Sequence, residues 1–385
     1  MQTPYFLIHE KEVASNVEAF RKALERHWPC YHIAYSVKTN SLPWLLSYLQ
    51  SKGVLAEVVS AEEYELAQKC GYEQNEIVYN GPIKTAESLI YALKNGSRVN
   101  IDSASELAIL CSCDLRPEEI GIRVNVDLSG VCPEDIDYHD DGFRFGFSYE
   151  TGALNQVICQ IRQKFGEIPI GLHLHCNSNT RSVRVYRALA AAAAKIIGQY
   201  KINPAYIDIG GGFFGGVPGK TTPDEYIQAI RAELDGTVDC RCVRLIIEPG
   251  SAIIGSTVDL VTSVVDVKDT IKSRIVTTDG SRIHLDPLWI KRSYLYSLES
   301  GKDTPMDKQI ICGYTCMDHD RIMIVRDAPE LSVGDKIIYH RVGAYTMTFG
   351  GPFIRYYPDV YVCSGETIRK VRSRMTVEDY LRIQS

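Results

Sequence analysis

Short apolar stretches alternate with longer stretches of helical periodicity between about residue 30 and residue 250. Eight stretches are typical of strands: His32–Val37, Val54–Val59, Glu76–Tyr79, Arg98–Ile101, Gly121–Val126, Ile170–His175, Tyr206–Ile209 and Leu245–Glu248. Between them, apolar residues recur at helical spacing, as in Ala61–Lys69, Val183–Ile197 and Pro223–Leu234. Strands that alternate with helices form parallel sheets, and eight such units are typical of a closed (β/α)8 barrel rather than an open sheet. We therefore predict a TIM barrel over residues 28–255.

The pattern changes beyond residue 255, where β-like stretches are separated by Gly, Pro and Asp turns. These stretches are Val258–Val267, Ser273–Thr278, Gln309–Ile311, Lys336–His340 and Val360–Cys363. Helical periodicity is sparse until Val377–Ile383, and the β-like Tyr5–His9 precedes the barrel. We predict an all-β domain, sandwich-like or barrel-like, formed by residues 256–385 and completed by residues 1–27 with their N-terminal strand.

Composition excludes several classes of function. Lys and Arg number 42 against 48 Asp and Glu, which gives a formal net charge of −6 and argues against nucleic-acid binding. No apolar run reaches the roughly 18 residues of a membrane helix, and the N-terminus lacks the features of a signal peptide. The 12 cysteines form no C-x-x-C pair, so we predict reduced thiols, no metal site and a cytoplasmic protein.

Chemically active residues stand at the ends of the predicted barrel strands. They are Lys38, Glu57, Arg123, His175, Gly210–Gly212 and Glu248. Barrel enzymes carry their active sites at the carboxyl ends of the strands, so we expect these groups to converge there. Some of them have a simpler explanation when taken alone. Lys38 could be a solvated lysine, and the glycines could form a tight turn. His173 and His175 point to the same face of a strand, a spacing that also suits a metal site.

Three of these positions point to particular chemistry. A desolvated Lys38 amine would be suited to forming a covalent bond with a carbonyl compound. The Gly210–Gly212 run follows the seventh strand, where barrels commonly bind phosphate through backbone N–H groups. A buried Glu248 needs a cationic partner, and a protonated pyridine nitrogen would serve.

With these residues in hand, the chain resembles the pyridoxal-phosphate-dependent barrel decarboxylases, which share the alanine-racemase-like fold and include diaminopimelate and ornithine decarboxylases. The resemblance covers nearly the whole chain and keeps the order of the motifs. The matching segments are Ser36–Asn40, Glu57–Ser60, Arg144–Gly146, His173–His175, Asp208–Gly212, Glu248–Gly250, Cys312–Cys316 and Gly343–Tyr345.

The resemblance implies a role for each matching position. Lys38 would hold pyridoxal 5'-phosphate covalently, Glu248 would keep its ring nitrogen protonated, His175 would stack on the ring, and Arg123 would lie near the ring hydroxyl. The other cofactor-binding residues implied are Glu57, Ser178, Gly210, Gly211, Gly212, Gly250 and Tyr345. Cys316 or Lys38 would return a proton to the substrate's α-carbon. Cys316 would come from the partner subunit of a homodimer with shared active sites, whose interface would pair Arg144 with Asp320.

The departures from the family pattern fall mostly on substrate recognition. The acidic residue that follows the catalytic cysteine in these decarboxylases is Met317 here, with Asp318 beside it. The arginine that binds the distal carboxylate in diaminopimelate decarboxylases is replaced by Asp286, and we expect these three residues to contact the substrate. Ser251 stands where the family has a phosphate-binding arginine, so Ser178 with the glycines, or alternatively Arg181, would bind the phosphate.

The predicted activity is decarboxylation of an amino acid, or an amino-acid-containing conjugate, at its α-carbon with altered recognition of the distal group. A siderophore or peptide-antibiotic intermediate is an alternative substrate, because His175–Asn179 is closer to decarboxylases of those pathways. An amino-acid racemase is a second alternative, although Glu248 favours decarboxylation over the arginine that racemases place against the ring nitrogen. A non-catalytic binding protein resembling the antizyme inhibitors is the third, and the retained Lys38 argues against it.

Overall fold

A computed structural model describes residues 1–136, 141–176, 178–291 and 293–385 of the chain. Its helices are α1 Glu10–His27, α2 Pro43–Ser51, α3 Ala61–Lys69, α4 Ala86–Lys94, α5 Ala104–Ser112, α6 Ala153–Phe165, α7 Val183–Tyr200, α8 Pro223–Leu234, α9 Ser251–Ile254, α10 Arg282–Leu285, α11 Thr346–Phe349 and α12 Val377–Gln384. Short 3₁₀ turns occupy Val37–Thr39 and Gln74–Glu76. None of the helices in these ranges is both long and apolar enough to span a membrane.

The strands fall into two sheets. In chain order they are β1 Tyr5–His9, β2 Tyr31–Ser36, β3 Leu55–Val58, β4 Ile77–Tyr79, β5 Arg98–Ile101, β6 Ile120–Asn125, β7 Phe147–Ser148, β8 Ile170–Leu174, β9 Pro204–Asp208, β10 Arg244–Ile247, β11 Val258–Asp269, β12 Arg274–Thr278, β13 Leu295–Glu299, β14 Pro305–Cys312, β15 Arg321–Pro329, β16 Lys336–His340, β17 Asp359–Ser364 and β18 Thr367–Arg372. The chain divides into two compact units, Asn16–Ala252 and Met1–Ser15 with Ile253–Ser385. The domain limits drawn from the sequence, 28–255 for the barrel, stay a prediction.

The first unit is a closed parallel barrel, which confirms the predicted fold. Strands β2, β3, β4, β5, β6, β8, β9 and β10 pair in that order, and β10 returns to pair with β2. Several helices begin at a Ser or Thr whose side chain accepts a backbone N–H of the first turn, and these caps are Ser60, Thr85, Ser103, Ser182 and Thr222. Such caps fix the point at which each loop from a strand end turns into a helix.

The barrel interior is filled by a buried layer that contains Ala34, Val78, Tyr206 and Ile246. The Tyr206 ring needs space, which glycines on β8 and β6 provide. A Cβ atom on Gly171 would lie 2.1 Å from Tyr206 Cζ, and one on Gly121 would lie 2.1 Å from the Tyr206 hydroxyl oxygen. The buried tyrosine therefore requires glycine at both of these positions.

The second unit is a mixed sheet in which the N-terminal strand is internal, as predicted. Strand β1 pairs antiparallel with β11 and parallel with β17, and the main path runs β15-β14-β12-β11-β1-β17-β18, with β16 and β13 extending from β11. Strands β13, β15 and β18 were not expected from the sequence. The residues of β13 and β18 are mostly exposed, and the apolar residues of β15 are consecutive, so none of the three shows the alternation that identifies a half-buried strand.

The packing of Tyr206 gives a test of stability. We expect Gly171→Ala to lower the free energy of unfolding by at least about 2 kcal/mol, because the new methyl group overlaps the buried ring. Gly198→Ala is the matched control, since this glycine lies inside α7 with no atom within 4 Å of the added Cβ. Alanine there should stabilise the helix by about 0.5–1 kcal/mol. Denaturant unfolding measures both, and equal effects of the two substitutions would contradict the assignment.

Candidate active site

The residues of the candidate site lie one layer above the Tyr206 layer. Each residue of that layer (Ala34, Val78, Tyr206 and Ile246) is followed two positions later by a polar residue. These polar residues are, in the same order, Ser36, Asn80, Asp208 and Glu248. Side chains alternate between the faces of a strand, so this second set continues on the inner side of the barrel. All four are buried. The apolar barrel core therefore gives way to a buried polar layer at the carboxyl end of the strands.

Lys38 and Glu57 form a direct ion pair at this end. Lys38 lies in the 3₁₀ turn that follows β2, and its Nζ is 2.5 Å from Glu57 Oε2. The Glu57 side chain is 1% exposed, whereas that of Lys38 is 42% exposed. The structure therefore presents the lysine amine at the open end of the barrel with a buried carboxylate behind it, rather than as the unpaired, desolvated amine that the sequence suggested.

The site holds more buried carboxylates than nearby cations can neutralise. Burial raises the pKa of Glu248 well above its usual value, and the charges of Asp208 and Glu57 raise it further. Burial likewise raises the pKa of Asp208 to about 7. His173 does not offset this charge, because burial and the nearby Arg123 depress its pKa and keep the imidazole neutral.

A cationic ligand fits this arrangement. His173 Nε2 lies 3.6 Å from Glu248 Oε2. Among the residues that the structure describes, neither ring nitrogen of His173 nor Asp208 Oδ2 has a hydrogen-bond partner. The protonated ring nitrogen of pyridoxal phosphate would supply the missing positive charge. Ligand atoms of His173, Asp208 and Glu248 also lie within 4.8 Å of one another, as a divalent metal would require. The nearby Lys38 and the glycine loop after β9 favour the cofactor over a metal.

The glycine loop after β9 packs directly against His175. A Cβ atom on Gly210, whose φ is +69°, would lie 2.5 Å from His175 Cβ and 2.6 Å from its ring. The backbone N–H of Gly210 is donated to Asp208 (2.9 Å), and the Gly211 carbonyl accepts from the Tyr186 hydroxyl (3.0 Å). Burial, Arg123 and Lys38 lower the pKa of His175 to about 3, so its ring is neutral and can stack on an aromatic ligand. The loop and the predicted stacking residue are thus brought together.

Arg123 is held by a carboxylate and by aromatic rings. Its Nη1 lies 3.5 Å from Asp102 Oδ2, and its guanidinium carbon lies 4.5 Å from the centre of the Phe145 ring. The Asp102 carboxylate also accepts the backbone N–H of Gly146 (3.1 Å). The Arg144–Gly146 motif therefore has a structural task in fixing Arg123, which the sequence did not indicate.

The segments that the resemblance assigns to phosphate binding are closely packed. Ser178 Oγ accepts the backbone N–H of Arg181 (2.9 Å), and the Arg181 guanidinium donates to the Phe213 carbonyl (3.2 Å). A Cβ atom on Gly250 would lie 2.0 Å from Thr39 Oγ1, so only glycine fits beside the lysine turn. Asn177, which belongs to the His175–Asn179 segment that resembles decarboxylases of siderophore pathways, lies outside the described residues.

The β unit contains the remaining predicted residues. Cys316 is exposed, Tyr345 is 39% exposed with φ +62°, and Asp318 pairs with Arg321 (2.8 Å). Asp320 is 2% exposed, and its carboxylate accepts hydrogen bonds from Ser281 and Thr315 and from the Arg282 backbone. Asp320 therefore anchors the cysteine loop within its own chain, and its pairing with Arg144 across an interface stays a prediction.

Asp286 is also engaged within its own unit. It is 3% exposed, and its Oδ2 accepts from the Arg282 guanidinium (2.7 Å) and from the Lys291 backbone N–H (2.8 Å). The Arg282 guanidinium in turn lies 4.9 Å from the Trp289 ring centre. Arg282 escaped the sequence analysis because it lies four residues before the position that the family motif identifies.

Asn80 is the main site residue that sequence reasoning missed. It follows β4, and its amide contacts both Glu57 and Glu248. An amide does not titrate and belongs to none of the motifs that we used. Its position directly after a barrel strand was the available signal.

Comparisons with known proteins agree with this geometry. The family model described as "Pyridoxal-dependent decarboxylase, pyridoxal binding domain" matches residues 10–255. A probable chloroplastic diaminopimelate decarboxylase of Oryza sativa subsp. japonica is 27% identical over 399 residues, which cover 99% of this chain and 79% of that protein. The crystal structure of diaminopimelate decarboxylase from Helicobacter pylori complexed with L-lysine has a TM-score of 0.84 at 25% identity, covering 100% of this chain and 97% of the other. That of the Methanocaldococcus jannaschii enzyme has a TM-score of 0.86 at 22% identity, covering 99% and 92%, and supports the fold.

The contact between the glycine loop and His175 can be tested by cofactor titration. We expect Gly210→Ala to weaken pyridoxal phosphate binding by at least about tenfold, because its Cβ displaces the His175 ring. Gly219→Ala is matched for backbone strain, with φ +73° against +69°, and its Cβ meets no atom within 4 Å. Fluorescence titration of the apo proteins gives both dissociation constants, with Lys38→Ala as the variant that cannot attach the cofactor. Equal affinities for the two glycine variants would refute the role of this contact.

Proposed function

The chain belongs to the family of pyridoxal-dependent decarboxylases, and on that basis we propose that it decarboxylates an amino acid whose distal group differs from that of diaminopimelate. Family membership makes the chain a pyridoxal-phosphate-dependent amino-acid decarboxylase. The observation that carries the assignment of the site is the excess of buried carboxylates at the end of the barrel, which a protonated pyridine nitrogen at Glu248 would balance.

The barrel residues bind and orient the cofactor in this proposal. Glu248 would keep the ring nitrogen protonated, neutral His175 would stack on the ring, and Arg123 would lie near the ring hydroxyl, as the resemblance implies. Ser178 and the N–H groups of Gly211 and Gly212 bind the phosphate, and Gly210 is excluded because its N–H is already donated to Asp208. The Tyr345 hydroxyl adds a further phosphate contact, as the resemblance implies.

The reaction breaks the bond between the α-carbon and the carboxylate of the substrate. When bound, pyridoxal phosphate supplies the electron sink for the electron pair that departing CO2 leaves behind. Lys38 would hold the cofactor through its amine, and Glu57 would orient that amine as its hydrogen-bond acceptor. The Cys316 thiol of the partner subunit then donates the proton that the α-carbon needs in place of CO2.

The distal end of the substrate meets a segment whose charges are already paired. Asp286 binds Arg282 and Asp318 binds Arg321, so neither acid offers an unpaired charge to an ammonium group. Met317 carries no charge, and the arginine that would bind a distal carboxylate is absent from position 286. We therefore propose a substrate whose distal part is uncharged or conjugated, such as an amide-linked siderophore or peptide-antibiotic intermediate.

An amino-acid racemase with this cofactor is the second candidate. Racemases weaken the electron sink by placing an arginine against the ring nitrogen, and the carboxylate of Glu248 has the opposite effect. A non-catalytic protein of the antizyme-inhibitor type would need neither the Lys38–Glu57 pair nor the packing of Gly210 on His175. Both contacts therefore support the decarboxylase.

A substrate screen tests the proposed distal recognition. The kcat/KM for CO2 release should be at least about a hundredfold higher with an amide-linked conjugate than with meso-diaminopimelate, L-ornithine or L-arginine. Asp286→Asn should lower the melting temperature by releasing Arg282 and leave the KM values of these diamino substrates unchanged. Efficient turnover of meso-diaminopimelate, or a raised KM in the Asp286 variant, would contradict the proposal, and optical inversion without CO2 release would favour the racemase.

Mixing two inactive variants tests the shared active site. Lys38→Ala and Cys316→Ala homodimers should each have strongly reduced turnover. Random exchange of their subunits should restore about a quarter of wild-type activity, because half of the dimers are mixed and each mixed dimer has one intact site. Pyridoxal phosphate should still bind to Cys316→Ala with wild-type affinity. Failure of the mixture to recover activity, despite subunit exchange detected by mass spectrometry, would show that both residues act within one chain.

A further inference from the structure

We infer that Asn80 is a positioning residue that gives one amide hydrogen to each of two carboxylates, Glu57 and Glu248, and that Asn100 and Tyr206 fix its orientation. The inference rests on the proposed function, because it takes Glu248 as the partner of the cofactor's ring nitrogen. It extends that function by linking Glu57, the acid beside Lys38, to Glu248, the proposed partner of the ring nitrogen.

The geometry of the amide accounts for both of its hydrogens. Asn80 Nδ2 is 3.1 Å from Glu57 Oε1 and 2.5 Å from Glu248 Oε1. A primary amide nitrogen carries two hydrogens and no lone pair for accepting, so each hydrogen has one carboxylate. Asn80, Glu57 and Glu248 are all at most 3% exposed. Water therefore contributes little to solvating these oxygens, and the amide takes its place.

The orientation of the amide follows from a chain of hydrogen bonds. If the Asn80 side chain were rotated, its carbonyl oxygen would face the Glu57 carboxylate, which is paired with Lys38 and acts as an acceptor, so the Nδ2 group faces the two acids. Its Oδ1 then needs a donor, and Asn100 Nδ2 is 2.7 Å away. The Asn100 Oδ1 needs a donor in turn, and the Tyr206 hydroxyl is 2.7 Å away. Each group in the chain thus has one orientation that satisfies it.

The chain begins in the apolar core of the barrel. Tyr206 is fully buried, and its ring packs directly against the backbone at Gly171 and Gly121. The position of the phenol is therefore set by packing and is passed through two amides to the carboxylates. This arrangement anchors both acids without adding a charge to a site that already has an excess of negative charge.

The effect on the ring nitrogen follows from the charge of Glu248. Hydrogen bonds to a carboxylate favour its ionised form, and the Asn80 amide therefore opposes the burial and the repulsion that favour a proton on Glu248. Without Asn80, Glu248 would keep its own proton and give weaker support to a proton on the ring nitrogen. Asn80 would then act on turnover rather than on substrate binding.

The experiment compares the holoenzyme with Asn80→Ala, Asn80→Ser and Tyr206→Phe. We expect Asn80→Ala to lower kcat by about 10- to 100-fold with KM changed by less than about twofold. The absorbance of bound cofactor, titrated against pH, should show the ring nitrogen losing its proton about one pH unit lower than in wild type. Asn80→Ser keeps one donor and should recover part of the shift, and Tyr206→Phe should shift the titration in the same direction by less.

A matched control is available on the same strand. Tyr79→Phe removes a buried hydroxyl that donates to Ser88 (3.2 Å) and contacts neither carboxylate, so it should lower the melting temperature without moving the absorbance titration. If Asn80→Ala and Tyr206→Phe behave like Tyr79→Phe, Asn80 has only a structural role and the inference is overturned. Should Asn80→Ala fail to fold, the Asn80→Ser and Tyr206→Phe titrations decide the question.

Glu248→Gln separates the inference from the proposed function. A shift in the absorbance titration of Glu248→Gln, with none in the Asn80 variants, would leave Glu248 at the ring nitrogen and reject the role of Asn80. An unchanged titration in Glu248→Gln would instead reject the placement of the ring nitrogen itself. Shifts in both sets, graded from Glu248 through Asn80 to Tyr206, would support the complete chain.

Discussion

The need to balance charge inside a closed barrel governs this structure. Glu57, Asp208 and Glu248 are buried in one layer, where an ionised carboxylate is costly unless it has a cation or N–H donors. Arg123 and Lys38 are the cations beside them, and Arg123 is shared with Asp102. Burial and the repulsion among these carboxylates raise the pKa values of Asp208 and Glu248. A bound cation would offset the negative charge of this layer and favour the ionised carboxylates.

Small residues make this layer possible. Gly171 and Gly121 leave room for Tyr206, and Gly210 and Gly250 let the backbone approach His175 and the lysine turn. The same principle operates at both depths of the barrel: a side chain packs closely against a backbone position where glycine has no side chain. The rigid apolar layer supports the polar layer above it, so stability of the fold and placement of the reactive groups have one structural origin.

The sequence predicted the barrel and most of the chemical groups at its open end, because both leave strong local signals. Eight βα repeats predict the fold, and charged residues in or directly after apolar strands indicate Lys38, Arg123 and Glu248. The partners of those groups were harder to find. Asn80 is uncharged, Asp102 meets Arg123 only once the barrel closes, and Arg282 is brought to Asp286 by a single turn of helix. Strand β18 is exposed along most of its length, so it has no apolar face for a periodicity argument to detect. The position of a charged residue beside a strand can be read from the sequence, whereas the side chain with which it pairs is decided by tertiary structure.

Pairing also bears on the substrate. Read from the sequence, Asp286 in place of an arginine reverses the charge that the pocket would offer to a distal group. In the structure Arg282 cancels that charge four residues away and the acid is buried, so the substitution removes a charge preference and does not invert it. The same holds for Asp318 beside Arg321. In the proposed function, the barrel residues act at the α-carbon, and a distal segment without unpaired charge would disfavour a charged distal group. That combination suits a conjugated amino acid, in which the group that diaminopimelate carries as a charge is already joined to something else.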